Sequence, residues 1–185
     1  KQDVATQHVL QYTVYASNVA GESTGFNSNA LTFGQPYTAP FAESFAGGKT
    51  SVDPWTTVKE AGGYPEWTGA TKGIYDDSDT SQDGDLGWMK YSSKGTITLQ
   101  SPVIDITALA NPVLKFWYRA ADDTGDAVAL DVLISGNRGV NWTTADSRSV
   151  TEVEWKQMSV DLSSLKGCSE VQIGFKASAQ VYQDM

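Results

Sequence analysis

The chain has 185 residues, and its 13 lysines and arginines stand against 22 aspartates and glutamates, a formal net charge of −9. This sign opposes binding to nucleic-acid phosphates and to an anionic membrane face. No apolar run approaches the roughly 18 residues that a membrane-spanning helix needs, so we expect no membrane insertion. Cys168 is the single cysteine, which excludes an intrachain disulfide and a thiolate metal cluster.

Strand patterns dominate the chain from its start to its end. Apolar and polar residues alternate, with the period of a half-buried strand, in six segments: 9–16, 96–104, 113–119, 127–134, 156–162 and 170–176. No segment has a convincing helical stripe. Because turn-forming residues separate these segments, the pattern predicts an all-β protein with an antiparallel jelly-roll sandwich.

Alternation also sorts the six tryptophans. In the segment VLKFWYR, Trp117 falls with Lys115 and Arg119 on the face opposite the apolar side chains. Trp155 is likewise out of phase with the apolar residues of the strand that follows it. Flat aromatic faces stack on sugar rings, so Trp117 and Trp155 are candidate ligand-binding residues. For all six, packing in the core or under a loop is the commoner role of an aromatic side chain.

Two changes in composition divide the chain. The stretch GQPYTAP (34–40) places two prolines and a glycine between strand-like segments, and it predicts a boundary between residues 1–35 and 36–185. An irregular region follows from Gly47 to Asp85. Loops of this length are more often functional or ordered by an ion than idle.

The segment from Tyr12 to Ser23 resembles the end of a fibronectin type III domain, with Tyr12 as the corner tyrosine and Asn18 to Ser23 as the turn into the last strand. About the final third of such a sandwich is present. The resemblance implies that residues 1–35 are the C-terminal strands of that domain, either docked on the next domain or left over from a neighbour.

Residues 41–185 resemble a MAM-type jelly roll through FAESFAGG (41–48), the long segment 83–120 and the segment 161–177. The same pattern occurs in choice-of-anchor J and cleaved-adhesin modules of bacterial secreted proteins. The resemblance implies an extracellular module, secreted or on the cell surface, that binds a glycan or a protein and works beside other domains of the same polypeptide. Such modules usually end with a further strand, so we expect the jelly roll to lack its last one.

An acidic segment predicts a structural calcium site. Asp79, Ser81, Asp83 and Asp85 alternate as in a calcium loop, and a glycine makes the sharp bend. The position of the closing bidentate glutamate holds a lysine, so another part of the fold has to supply a carboxylate. The resemblance implies Glu43 for this role, because the glutamate of an E-S-F opening strand contributes to such a site. The alternative is a solvated acidic loop.

Enzyme patterns are weak. His8 is the only histidine and lies in the fibronectin-like segment, so a Ser-His-Asp arrangement lacks its base. A glycosidase needs only two carboxylates, and the nearest pair, Glu152 and Glu154, precedes a strand at a turn. We therefore expect no catalytic residues and a non-catalytic adhesion or binding module. The alternatives are a carbohydrate-binding accessory module of a secreted hydrolase and, less favoured, a glycosidase.

Overall fold

The structure is a computed structural model and describes residues 7–10, 13–15, 17–18, 21–23, 26–27, 31–50, 54–61, 65–70, 88–120 and 127–184. These residues form strands and two short 3-10 turns, η1 (Ala46–Gly48) and η2 (Ser163–Leu165), with no α-helix among them. None of the described residues form a helix with the length and hydrophobicity that crossing a bilayer requires. The strands in chain order are β1 (His8–Leu10), β2 (Thr13–Val14), β3 (Ser17–Asn18), β4 (Gly21–Glu22), β5 (Phe26–Asn27), β6 (Leu31–Phe33), β7 (Tyr37–Thr38), β8 (Thr56–Ala61), β9 (Glu66–Ala70), β10 (Trp88–Gln100), β11 (Ile104–Asp105), β12 (Val113–Tyr118), β13 (Val128–Ser135), β14 (Thr143–Val150), β15 (Lys156–Asp161) and β16 (Gln172–Asp184).

The largest sheet has antiparallel strands in the order β14–β13–β16–β10–β8, and β9 pairs with the first half of β10. The alternation predicted for β13 is confirmed. Every second residue from Val128 to Ile134 is buried, whereas Asp131 points to the other face and accepts a hydrogen bond from Ser147 Oγ at 2.6 Å. One face of this sheet therefore builds the core, and the other face is polar.

The second layer is the antiparallel pair β12–β15. Phe116 lies opposite Met158, and its ring packs edge-on against Phe175 of the large sheet with centroids 4.9 Å apart. Tyr118, Met158 and Val160 are buried in the same cluster as the apolar side chains of β13. Two sheets that pack face to face with one core between them make a β-sandwich, so the predicted all-β fold is confirmed.

Strand β10 changes register between Ser93 and Gly95, where Gly95 has a φ of 119° that L residues rarely adopt. Two residues before this bulge, Tyr91 is fully buried in a second hydrophobic cluster, and Trp67 of β9 packs against that cluster. The prediction of an irregular region from Gly47 to Asp85 was wrong in part, because β8 and β9 lie within it. Their residues are mostly polar, and pairing with β10 holds them in the sheet.

The N-terminal residues form an antiparallel ribbon in which β1 pairs with β6, β2 with β5 and β3 with β4. The ribbon meets the sandwich through buried polar groups. Gln7 Nε2 donates to Val103 O and to Gln35 O, both at 2.9 Å, and Gln7 Oε1 accepts from Val103 N at 2.8 Å. The side-chain amide thus pairs with the Val103 backbone as a neighbouring strand would.

Arg138 makes further hydrogen bonds between the sandwich and the end of the ribbon. Its Nη1 donates to Gly34 O at 2.9 Å and to Thr32 O at 3.3 Å, and its Nε lies 2.8 Å from Glu170 Oε1. Gln172 Nε2 donates to the Thr32 hydroxyl at 3.2 Å. Residues near the proposed boundary therefore dock on the sandwich. The division into 1–35 and 36–185 stays a prediction, and the corner tyrosine lies outside the described residues.

Candidate functional site

The outer face of the β12–β15 pair carries an exposed tryptophan. Because Phe116 points into the core, alternation turns Trp117 outward, and 44% of its surface is exposed. Trp117 lies opposite Gln157, and Lys115 lies opposite Ser159, with Lys115, Gln157 and Ser159 all exposed. The predicted orientation of Trp117 is confirmed.

Trp155 is half-buried and contacts Arg119 at the end of β12. The guanidinium of Arg119, two residues after Trp117, lies 5.5 Å from the centroid of the Trp155 ring, and its Nη1 donates to Val153 O at 3.2 Å. Trp155 immediately precedes Lys156, which lies opposite Tyr118, so the two candidate tryptophans lie at the same end of the β12–β15 pair. Their role in ligand binding stays a prediction.

We call the set Lys115, Trp117, Arg119, Trp155 and Gln157 the tryptophan face. Its chemistry combines flat apolar rings with amide, ammonium and guanidinium donors. Sugar rings present apolar C–H faces and hydroxyl groups, and this combination matches both. Sequence reasoning did not single out Gln157 as a site residue. The alternation of β15 would have placed it outward, but only the pairing of β12 with β15 shows that it lies beside Trp117.

Packing was the favoured role for all six tryptophans, and Trp67 and Trp142 do pack against neighbouring residues. Trp67 packs edge-on against Tyr91 with centroids 5.9 Å apart. Trp142 covers two glycines, since a Cβ atom would lie 3.1 Å from its ring at Gly139 and 3.3 Å from it at Gly174. These aromatic rings are parts of the fold, in contrast to the tryptophan face.

Glu43 lies on residues 41–50, which we call the opening segment, and its carboxylate accepts two hydrogen bonds. Its Oε1 accepts from Phe45 N at 3.0 Å, and its Oε2 accepts from Trp55 Nε1 at 3.2 Å. The Trp55 ring packs edge-on against Phe45, which adopts a left-handed φ of 54°. These contacts fix the position of the carboxylate. Each carboxylate oxygen has two lone pairs, so accepting these N–H groups is compatible with a cation ligand.

The opening segment lies close against β9. A Cβ atom at Gly69 would fall 1.5 Å from the carbonyl oxygen of Gly48, so only glycine allows this approach of η1 to the strand. Strands β9 and β10 border residues 71–87, which contain the acidic segment. Glu43 therefore lies on the opening segment, which packs against the two strands that border the acidic segment.

The other predicted calcium ligands are Asp79, Ser81, Asp83 and Asp85, and they lie outside the described residues. Within the part of the chain that the structure describes, no group of three or more His, Cys, Asp or Glu side chains converges in a way that could hold a metal ion. The calcium site stays a prediction.

Glu152 and Glu154, the acid pair considered for a glycosidase, lie on the bend between β14 and β15, as predicted. Glu152 Oε2 accepts a hydrogen bond from the Thr151 backbone N–H at 3.2 Å. Glu154 is exposed, and its Oε2 lies 3.8 Å from Lys156 Nζ. Both side-chain contacts are local to the bend.

The solved structures that resemble this chain include two cleaved adhesin domains of Lys-gingipain from Porphyromonas gingivalis. The first aligns with a TM-score of 0.53 and 17% identity over 70% of this chain and 85% of that one. The second aligns with a TM-score of 0.52 and 16% identity over 70% of this chain and 86% of that one. A third structure, of carbohydrate-binding modules from the β-sandwich superfamily, aligns with a TM-score of 0.50 and 10% identity over 97% of this chain and 71% of that one.

The sequence itself matches no protein-family model and no curated protein. At identities this low, the structural likeness establishes the fold alone. The cleaved-adhesin-like jelly roll that the sequence predicted is thus confirmed as an architecture. The MAM and fibronectin type III resemblances stay predictions.

Proposed function

We propose that this chain is a non-catalytic binding module of a secreted or cell-surface protein and that the tryptophan face binds a glycan. The observation that carries the proposal is the position of Trp117, which is 44% exposed on the outer face of the β12–β15 pair, at the end of the pair where Arg119 contacts Trp155. An exposed aromatic ring loses contact with water when it stacks on the apolar face of a sugar, which favours binding. The fold shared with cleaved adhesin domains and with carbohydrate-binding β-sandwich modules supports the same proposal.

The test is affinity electrophoresis of the full chain through gels that contain plant, bacterial and animal polysaccharides. Glycan binding predicts retardation by at least one polysaccharide, and Trp117→Ala should weaken it at least tenfold, about 1.4 kcal/mol. Phe33→Ala is the matched control, because Phe33 is an aromatic residue of similar exposure, 47% against 44%, on the N-terminal ribbon. Retardation that is equal in both variants, or absent with every polysaccharide, would contradict glycan recognition by this face.

An extracellular protein is the second class of partner that this face would suit, because interfaces are enriched in tryptophan and arginine.

The accessory-module alternative predicts binding to insoluble polysaccharide without hydrolysis. The glycosidase alternative predicts release of reducing sugar that is lost when Glu152 and Glu154 are both replaced by Gln. Hydrolysis that persists in this double variant would exclude Glu152 and Glu154 as the catalytic pair.

We further propose a structural calcium ion held by Glu43 together with Asp79, Ser81, Asp83 and Asp85. Calcium prefers six to eight oxygen ligands, and the oriented carboxylate of Glu43 supplies the one that the acidic segment lacks. When bound, the ion would tie the hairpin β9–β10 to the opening segment and stabilise the fold.

Thermal unfolding with excess calcium and with chelator tests this site. The midpoint should rise by several degrees with calcium, because an ion that binds only the native state stabilises it. Asp83→Asn and Glu43→Gln should each remove most of that rise, whereas Glu154→Gln, an exposed acid elsewhere in the chain, should retain it. Equal midpoints in calcium and chelator would contradict the proposal.

A further inference from the structure

On the basis of the proposed function, we propose that the tryptophan face selects acidic glycans, whose carboxylate or sulfate groups pair with Lys115 and Arg119. The two cations flank Trp117 in the sequence: Lys115 lies on β12 two residues before it, and Arg119 comes two residues after it, just beyond the last residue of β12. At about 3.4 Å per residue, Lys115 lies about 7 Å from Trp117 along the strand and on the same face. In chain order the three side chains form a line of cation, aromatic ring and cation.

Among the residues that the structure describes, the acidic groups near this line are turned away or paired. Asp161 lies at the far end of the same face, and its oxygens accept hydrogen bonds from Ser163 N at 2.8 Å and from Ser163 Oγ at 2.9 Å. Glu154 lies near Lys156 on the bend. Among the described residues, the strand partners of Lys115 and Trp117 are Ser159 and Gln157, so neither lies opposite a carboxylate.

The sign of this surface is opposite to that of the whole chain. Acids outnumber bases by 22 to 13 in the whole chain, a net charge of −9, yet the five residues of the tryptophan face include two cations and no acid. Arg119 is also oriented, because its guanidinium lies over the Trp155 ring and donates to a backbone carbonyl. A planar guanidinium held in this way suits carboxylate and sulfate groups. An aromatic ring between two cations therefore fits a sugar chain that carries regularly spaced negative charges.

Matched pairs of polysaccharides test the charge requirement directly. The full chain is run through gels with polygalacturonate and with its fully methyl-esterified form, with hyaluronan and its methyl ester, and with heparin and chemically desulfated heparin. In each pair the two members share one sugar backbone, but the second has lost some or all of the negative charge. We expect stronger retardation by the acidic member of at least one pair, and we expect that difference to shrink in 0.5 M salt, where charges are screened within about 4 Å.

Substitutions separate the contribution of charge from that of stacking. Lys115→Gln should weaken binding to the acidic member roughly three- to tenfold and should weaken binding to the neutral member by a smaller factor. Lys49→Gln, an exposed lysine on the opening segment, is the matched control and should change neither. Trp117→Ala should weaken binding to both members.

Equal retardation by the acidic and neutral members, lost in Trp117→Ala, would overturn the selection of acidic glycans and leave glycan binding in place. Acidic binding that is unaffected by Lys115→Gln and Trp117→Ala would overturn the assignment to this face. No retardation by any polysaccharide, with the far-ultraviolet spectrum of a folded β protein, would overturn both this inference and the proposed function.

Discussion

Gln7→Met tests whether the buried amide holds the N-terminal ribbon on the sandwich. Methionine has nearly the same length and volume, so the substitution removes the amide without opening a large cavity. The buried Val103 N–H donates a hydrogen bond to Gln7 Oε1 at 2.8 Å, and leaving such a donor unpaired costs about 1–3 kcal/mol. The Val103 carbonyl is less affected, because it also accepts from Tyr37 N at 2.9 Å. Loss of the bond to Gln35 O adds about 1 kcal/mol.

The expected decrease in the free energy of unfolding is therefore about 2–4 kcal/mol. It is measured by urea denaturation of the full chain. An unchanged slope of the free energy of unfolding against urea concentration would show that the same surface area is exposed on unfolding. For a chain of this size the midpoint of thermal unfolding should fall by at least about 4 °C. Gln35→Met is the control, because the Gln35 side chain is exposed and its backbone carbonyl remains. If both variants unfold like the unsubstituted chain, the amide does not hold the ribbon.

Three further substitutions test other contacts. Gly69→Ala should destabilise the chain by about 1–3 kcal/mol in urea denaturation, because its methyl group would overlap the Gly48 carbonyl; an unchanged midpoint would contradict this close approach. Arg138→Met should lower the free energy of unfolding by about 1–3 kcal/mol, because it removes the hydrogen bonds to the ribbon carbonyls and to Glu170. Thermal unfolding measures this effect, and an unchanged midpoint would contradict it. The pKa of Asp105 is lowered by hydrogen bonds from the side chain and backbone of Thr107. The ionised Asp105 carboxylate therefore stabilises the fold above the unfolded pKa, and this stabilisation is lost as the pH falls through the folded pKa. Asp105→Asn should then lose stability less steeply than the unsubstituted chain from about pH 5 downwards. Identical slopes of the free energy of unfolding against pH would refute this.

The sequence predicted the strands whose alternation is strong. In β12 and β13, apolar residues recur at every second position, and the structure places them in the core. Strand β14 was missed because its sequence, TTADSRSV, is almost entirely polar. It is the edge strand of the large sheet, and it is held by backbone pairing with β13. Propensity and periodicity carry little information about such a strand, since its stability comes from its neighbour.

The candidate site could be predicted only in part for a similar reason. The phase of each strand turned Trp117 outward and set Trp155 apart from the core, but nothing in the sequence indicated that β12 pairs with β15. The contact between Gln7 and Val103 joins residues that are 96 positions apart. A single glutamine gives no periodic pattern, so this contact was beyond sequence reasoning. The acidic segment remains a sequence prediction alone.

The packing behind the tryptophan face affects how tightly it can bind. The inner side chains of β12 and β15 are buried against the large sheet, with Phe116 packed on Phe175 and Met158 in the same core. The backbone that carries Trp117 is therefore ordered before any ligand arrives. A ligand at this face would not have to order a loop, and the entropy lost on association would come mainly from the sugar and from the long side chains of Lys115 and Arg119. Such preorganisation allows a small surface to keep useful affinity for a flexible chain.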